Sequence, residues 1–314
     1  MIRFILKRLL MAVPTVVIVS ITVFALIRFI PGDPAALMLG DMADPKQIEA
    51  MRVTLGLDQS MLQQFFTWVG HMLTGDFGRS IVTDEPVLHL VISRFLVSAQ
   101  IVFLAVVIAS LIAVPAGVIA AWKQNSITDL ALVGIATILL SIPTFWMGLL
   151  FLLFFGLKLG WLPVLGYVSV SENLTAGLLY LALPVMTLFI HEMGVIIRMA
   201  RASTLEVLRL DYITHARAKG LSESAVLWKH AFKNAFGPTW TMIGLILGNL
   251  LGGIAVIETV FTVPGLGRLL VDGIFQRDYP VIQGCLLVVA LSYVLVNLVV
   301  DLLYPLFDPR VVAE

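Results

Sequence analysis

The chain is dominated by apolar runs about 20 residues long, the length at which a helix crosses the hydrocarbon of a bilayer. Six such runs are present: Leu9–Ile27, Phe95–Trp122, Leu130–Leu157, Leu178–Ile197, Trp240–Val260 and Val281–Leu306. Hydrophobic residues make up 60% of the chain and charged residues 13%, against about 25% charged in an ordinary soluble domain. A backbone in hydrocarbon must satisfy its own hydrogen bonds, and a helix does so within one segment. The expected class is therefore an all-α membrane protein with six transmembrane helices. The first run is too long for the core of a cleaved leader and is read as a retained span. Prolines at positions 115, 143 and 184 fall inside runs, where neighbouring helices can satisfy a freed carbonyl.

The polar segments divide the chain into an N-terminal part (1–94), a membrane part (95–307) and a short tail (308–314). Between the first two spans, acidic residues outnumber Lys46, Arg52, Arg79 and Arg94. Met61, Leu62, Phe65, Phe66, Val69 and Leu73 recur there at helical spacing, which predicts one amphipathic helix at the membrane surface. The stretch 201–238 is different. It carries Arg201, Arg209, Arg217, Lys219, Lys229 and Lys233 against Glu206, Asp211 and Glu223. A basic loop between two spans belongs on the cytoplasmic side. With six spans, the inside holds Arg3, Lys7, Arg8, Lys123, Arg198, the six basic residues above and Arg310, so both termini are expected to be cytoplasmic. The loop reads as two short helices hinged at a glycine. Asp211 is expected to cap the first, Gly220 to end it in a left-handed turn with Leu221 as the following apolar contact, and Ser222 with Glu223 to start the second. Pro238 is expected where the next span begins.

Enzymatic chemistry finds little support. A phosphate-cradling loop needs Gly-Lys-Ser/Thr, and no glycine is followed by lysine. His191-Glu192 opens like a zinc-protease motif, but its fifth residue is Val195, so the second histidine ligand is missing. The histidines form no metal cluster along the chain, and no cofactor of its own and no nucleic acid is expected. The single Cys285 lies in an apolar run and reads as a small core residue. Ionisable residues inside spans are costly and mark functional candidates. His191 and Glu192 read either as a wall of a translocation path or as hydrogen-bonded to a neighbouring span, for example at Asn249 or Asn297. Glu258, at the outer end of the fifth run, reads as a gate or as an anchor for the Pro-Gly loop after it. Asp301 reads as an interfacial or loop contact. Gly244, Gly248 and Gly252 make a flat stripe for close helix packing, at a subunit interface or within the chain. A gradient-driven secondary transporter or channel remains an alternative, carried by Glu192.

Several phrases carry a resemblance. Thr214-His215-Ala216-Arg217-Ala218-Lys219-Gly220, followed by His230, resembles the coupling loop of ABC importer permeases. It departs from the general pattern at Thr214, His215 and Lys233. The dipeptide, oligopeptide and nickel branch is closer, through Asp211-Tyr212, Ala216-Arg217-Ala218-Lys219-Gly220-Leu221, His230 and Asn234. Leu55-Gly56-Leu57-Asp58-Gln59, Gly75-Asp76-Phe77-Gly78-Arg79-Ser80, Ser141-Ile142-Pro143-Thr144-Phe145-Trp146, the stretch 258–268, Arg277-Asp278-Tyr279-Pro280 and Asp308-Pro309-Arg310 are similar to phrases of that branch, in the same order. The resemblance implies a type I importer permease fold in a bacterial inner membrane. It implies a second, homologous permease subunit, two ATPase subunits that bind ATP and Mg, and an external binding protein that delivers a peptide or related solute. It also implies that Asp211, Tyr212, His215, Ala216, Arg217, Ala218, Lys219, Gly220 and Leu221 couple the chain to an ATPase subunit.

Overall fold

The computed structural model of the protein describes residues 2–29, 44–54 and 56–307. Leu55 and the closing phrase Asp308-Pro309-Arg310 lie outside the described residues. The chain opens with α1 (Ile2–Phe29), then two shorter helices, α2 (Pro45–Thr54) and α3 (Met61–Leu73). Next come α4 (Val87–Trp122), α5 (Ile127–Ser141), α6 (Thr144–Lys158, ending in a π turn) and α7 (Leu174–Leu208). A short helix, α8 (Asp211–Ala218), precedes α9 (Glu223–Gly253), which holds a π turn over Val226–Ala231. The last helices are α10 (Ala255–Val260), α11 (Leu266–Gln276) and α12 (Tyr279–Leu303). Helices α1, α4, α7, α9 and α12 are long and apolar enough to cross a bilayer, and α5 with α6 makes a sixth crossing if the bent pair is one span.

The run Leu130–Leu157, expected as one span, is a pair of helices, α5 and α6. Its two halves meet at 94°. Proline disfavours the helical conformation in the residue before it, and Ile142 is extended (φ −92°, ψ 122°) ahead of Pro143. Pro14, Pro115, Pro184 and Pro238, by contrast, sit inside continuous helices. The expectation that a span starts at Pro238 is therefore corrected. The helix is already running at Phe232, fed by the π turn before it. The segment between the last two apolar runs, Phe261–Pro280, contains the helix α11.

Helices α4 and α7 form the central pair. At 36 and 35 residues they are each more than about 50 Å long, so they extend well past hydrocarbon about 30 Å thick. Helix α4 runs from Val87, through the division drawn at residue 94. Helix α7 carries Arg201–Leu208, which the sequence assigned to the loop. Small residues recur every fourth position on α4: Ala105, Ala109 and Ala113, all fully buried, then Gly117. Such a stripe lets another backbone approach closely. At Gly117 the approach is limiting, because a Cβ there would lie 2.6 Å from the Ile197 carbonyl oxygen and 2.7 Å from the Ala200 Cβ. The core around this pair includes Ile101, Leu181, Leu188, Ile196 and Ile197.

A second cluster closes the opposite end of α4. Val87 and Val91 pack with Leu266 of α11 and with Val281, Cys285 and Val288 of α12. Cys285 is a free, fully buried thiol. The predicted amphipathic helix is present as α3. Ser60 and Gln63 form its capping box, and Phe65 and Trp68 stack against Phe24 of α1. Gly117→Val is expected to force α4 and α7 apart and cost about 1–3 kcal/mol, the usual range for overpacking. Gly134→Val meets nothing within 4 Å and is the control. Thermal melting of both variants in detergent tests this, and equal midpoints would contradict it.

Candidate coupling and translocation sites

The basic loop folds as a hinge attached to the spans. Leu210 is the N-cap of α8, with extended dihedrals and no side-chain bond. Asp211 is thus the first helical residue rather than the cap. Its carboxylate still favours the positive end of the helix. Gly220 follows α8 at φ +78°, a conformation in which glycine has no steric penalty. Ser222 then accepts from the Ala225 N–H at 3.4 Å and starts α9. The hinge glycine and the second start are where the sequence put them. The second helix, however, is the beginning of a span.

The inner face of α8 is a small core of its own. Ile213 (0% exposed) and Ala216 (7%) pack with Val226, Leu227, Ala231 and Ala235 of α9, Val207 of α7 and Val118 of α4. Tyr212 is held too, since Asn234 Nδ2 donates to its hydroxyl at 2.8 Å. Arg217 bonds Glu223 at 3.2 Å and lies 5.5 Å over the Trp122 ring. Of the nine residues expected at the coupling site, Tyr212 and Ala216 therefore turn toward the spans, with Ala216 buried. Asp211, His215, Arg217, Ala218, Lys219, Gly220 and Leu221 are exposed.

The path candidates separate. His191 and Glu192 are adjacent on α7. The His191 ring lies near the backbone of Leu139 and Ile142, and its Nδ1 is buried without a hydrogen-bond partner among the described residues. Pro143 has no N–H to give the Leu139 carbonyl, so His191 stands beside the one break in the third crossing. Glu192 is buried. Neither Asn249 nor Asn297 is its hydrogen-bond partner among the described residues. Glu258 is fully buried, and not on the fifth span: α9 stops at Gly253 and Glu258 belongs to α10. Its carboxylate accepts from Ser98 Oγ of α4 at 2.5 Å and from the Arg268 N–H at 2.8 Å. The Leu266 N–H donates to Ser98 Oγ at 2.8 Å. A Cβ on Gly265 would collide with this carboxylate.

The glycine stripe meets α12 of the same chain. A Cβ at Gly244 would run into Val300, one at Gly248 would lie 2.7 Å from the Tyr293 ring, and one at Gly252 would touch Val289 at 3.5 Å. Here the packing face is internal.

Other polar anchors carry no sequence signal because their partners are far apart along the chain. Arg201 makes a forked pair with Asp129 of α5, at 2.6 and 2.8 Å. Arg8 pairs with Asp301 at 2.9 Å, joining the start of α1 to the end of α12. Asp278 accepts from Ser80 Oγ at 2.5 Å and from the Ile81 N–H at 3.2 Å, fastening the segment before α4 to the start of α12.

Comparison with known proteins places this architecture. The profile for the binding-protein-dependent transport system inner membrane component matches residues 113–313. Its N-terminal counterpart matches residues 1–102. A protein of Sinorhizobium fredii named "Probable peptide ABC transporter permease protein" is 41% identical over 308 residues, which is 98% of each chain. The glutathione transport system permease protein GsiC of Escherichia coli K12 is 42% identical over 311 residues, 99% of each chain. Among solved structures, the inward-facing MetNI methionine ABC transporter matches with a TM-score of 0.60 at 18% identity, over 71% of this chain and 99% of that one. The long helices, the broken third crossing and the hinged helix thus carry the type I importer fold, and the chain belongs to the family of inner-membrane components of binding-protein-dependent transport systems.

Proposed function

We propose that this permease subunit forms half of a path for peptides or a related small solute, and that ATPase subunits drive it through the exposed face of α8. The packing of α8 carries the reading. Its inner face shares one core with α4, α7 and α9, so a force on its outer face reaches three spans at once. Burial of a side chain such as Ile213 or Leu227 is worth about 1.5–3 kcal/mol, so the hinge and the spans move as a unit. His215, Ala218, Lys219 and Leu221 are free to enter a groove on the ATPase, in a helix-in-groove contact. ATP binding at those subunits, with Mg, draws two such helices together, and the effect is set by the difference in affinity between two states. The second helix belongs to a homologous permease subunit, and an external binding protein delivers the solute. The relatives' names support a peptide, with glutathione as one example. The Arg8–Asp301 pair supports placing both termini on one side, and the Phe236–Phe307 ring contact supports that side being the one where α8 leads into α9, the cytoplasmic face of a bacterial inner membrane.

In the same reading, His191 and Glu192 face the path near the broken crossing. Glu258 anchors the Pro264-Gly265 loop and does not itself contact solute.

Three outcomes are expected. First, Lys219→Glu with Leu221→Glu, both exposed, lowers recovery of ATPase chains with the tagged protein at least tenfold without changing its melting. If the wild type brings no ATPase chain and uptake is independent of ATP, the coupling reading is wrong. Gly220→Val belongs to the same outcome: a Cβ there meets no neighbour within 4 Å, so its cost is backbone strain alone, about 1–2 kcal/mol, with uptake falling at normal expression. Second, Glu192→Gln alters uptake of a labelled dipeptide while the complex still assembles. Loss of assembly alone would assign Glu192 to packing. Third, Gly265→Ala and Glu258→Ala are expected to be less than additive in a melting cycle, because the second removes the group that the first strikes. Additive effects would remove the anchor role.

A further inference from the structure

Two cavities meet at the end of α1 that carries Arg28, and their chemistry changes across the junction. One, about 400 Å³, is an apolar groove between α1, α3 and α12, walled by Val16, Val17, Phe65, Val69, Leu287 and Leu291. The other, about 450 Å³, is mixed: Arg28, Gln64, His71, Asp76 and Gln283 border it beside Leu57, Ile81 and Pro280. Trp68, Met72 and Phe77 line both. Helix α3 therefore shows its apolar face to one and its polar edge to the other.

The dimensions are those of one leaflet. From Val16 to Arg28 along α1 is about 18 Å at helical rise, and half of a bilayer's hydrocarbon is about 15 Å. On α12, Gln283, Leu287 and Leu291 step one turn at a time from the mixed cavity into the apolar groove. The outer side of α1 is open, with Leu10, Val13 and Ile18 all more than half exposed.

The polar part of the mixed cavity asks for acceptors. Trp68 Nε1 and Gln283 Nε2 are buried donors without a hydrogen-bond partner among the described residues, a costly state for any polar group. Arg28 adds a cation, held over the Phe24 ring at 4.0 Å and bonded to Gln64 Oε1 at 3.0 and 3.2 Å. One acid stands opposite. Asp76 accepts from the Gly78 N–H at 3.0 Å and pairs with His71 Nδ1 at 2.9 Å. These bonds hold its carboxyl below the usual carboxylate range, so it is charged at neutral pH.

We propose that the joined cavities hold one bilayer phospholipid with an ammonium-bearing headgroup. An acyl chain fills the groove between α1, α3 and α12. The phosphate and ester oxygens take the donors of Trp68, Gln283 and Arg28, and the ammonium faces Asp76. The lipid would then complete the seat of α3, whose helix has no buried residue of its own. A lipid here binds at the rim of the membrane part, away from the coupling helix, and needs no assumption about the transported solute.

The test uses the full chain, purified in mild detergent with its accompanying subunits, stripped of lipid, and titrated with phosphatidylethanolamine or phosphatidylglycerol. Bound lipid is counted by native mass spectrometry. One phosphatidylethanolamine is expected per chain. Trp68→Phe with Gln283→Leu keeps shape and removes both donors, and should weaken its binding at least tenfold. Ser20→Phe fills the groove and should do the same. Leu10→Phe, on the open face, should change nothing. Asp76→Asn should erase the preference over phosphatidylglycerol. Melting midpoints show whether each variant remains folded, and the shape-preserving pair decides if Ser20→Phe does not. Undiminished binding in the folded pair would overturn the proposal. So would cross-linking of a cysteine at Val17 to a second permease subunit, which would show that protein covers the groove.

Discussion

Hydrocarbon offers a peptide group nothing to bond with, so every interruption of a spanning helix must be covered by protein. Two interruptions shape this chain, and side chains from other helices pack at each. At Pro143 the bent pair α5–α6 turns through 94°, and His191 of α7 lies near the turn with its Nδ1 buried and unpartnered among the described residues. Beyond Gly253 the fifth span gives way to α10, and Glu258 takes up N–H and O–H donors from α11 and α4. Both sites depend on the central α4–α7 pair. That pair in turn depends on small residues, above all Gly117, where the two backbones leave no room for a methyl group.

The charged residues divide by depth in a way that follows from the cost of burial. Exposed pairs such as Arg79 with Asp84 contribute little, typically under about 1 kcal/mol. The forked Arg201–Asp129 pair is more sheltered and geometrically better, and it ties α5 to α7 just before the hinge. A movement of α8 is thus passed to a helix end that is already cross-braced. Removing one partner of such a pair costs more than the pair contributes, because the other charge is left behind.

Much of this was legible in the residues. Six apolar runs gave the crossings, the spacing of Met61 to Leu73 gave α3, and Gly220 with Ser222 gave the hinge. The failures have physical reasons. Proline inside an apolar run bends one crossing and is tolerated in four helices, and only neighbouring helices decide which. Helix α11 gives no sign in the sequence because its 11 residues start at the end of a Pro-Gly turn and are too few to announce a period. Asp211 looked like a cap, but the extended residue is Leu210, one position earlier. Asp129 and Arg201 are 72 residues apart and gave no local sign. Ala216 belongs to the coupling phrase, yet it faces the core. The resemblance locates the segment, and packing decides which of its residues a partner can touch.

The buried thiol has a practical consequence. Cys285 is the only cysteine in the chain, and it lies with no exposed surface between Val87, Leu266 and Val281. In the folded protein, water-soluble maleimides should pass it by. The native sequence is therefore a quiet background on which a single introduced cysteine, in α8 or beside the groove of α1, can report distances and access without first rebuilding the core.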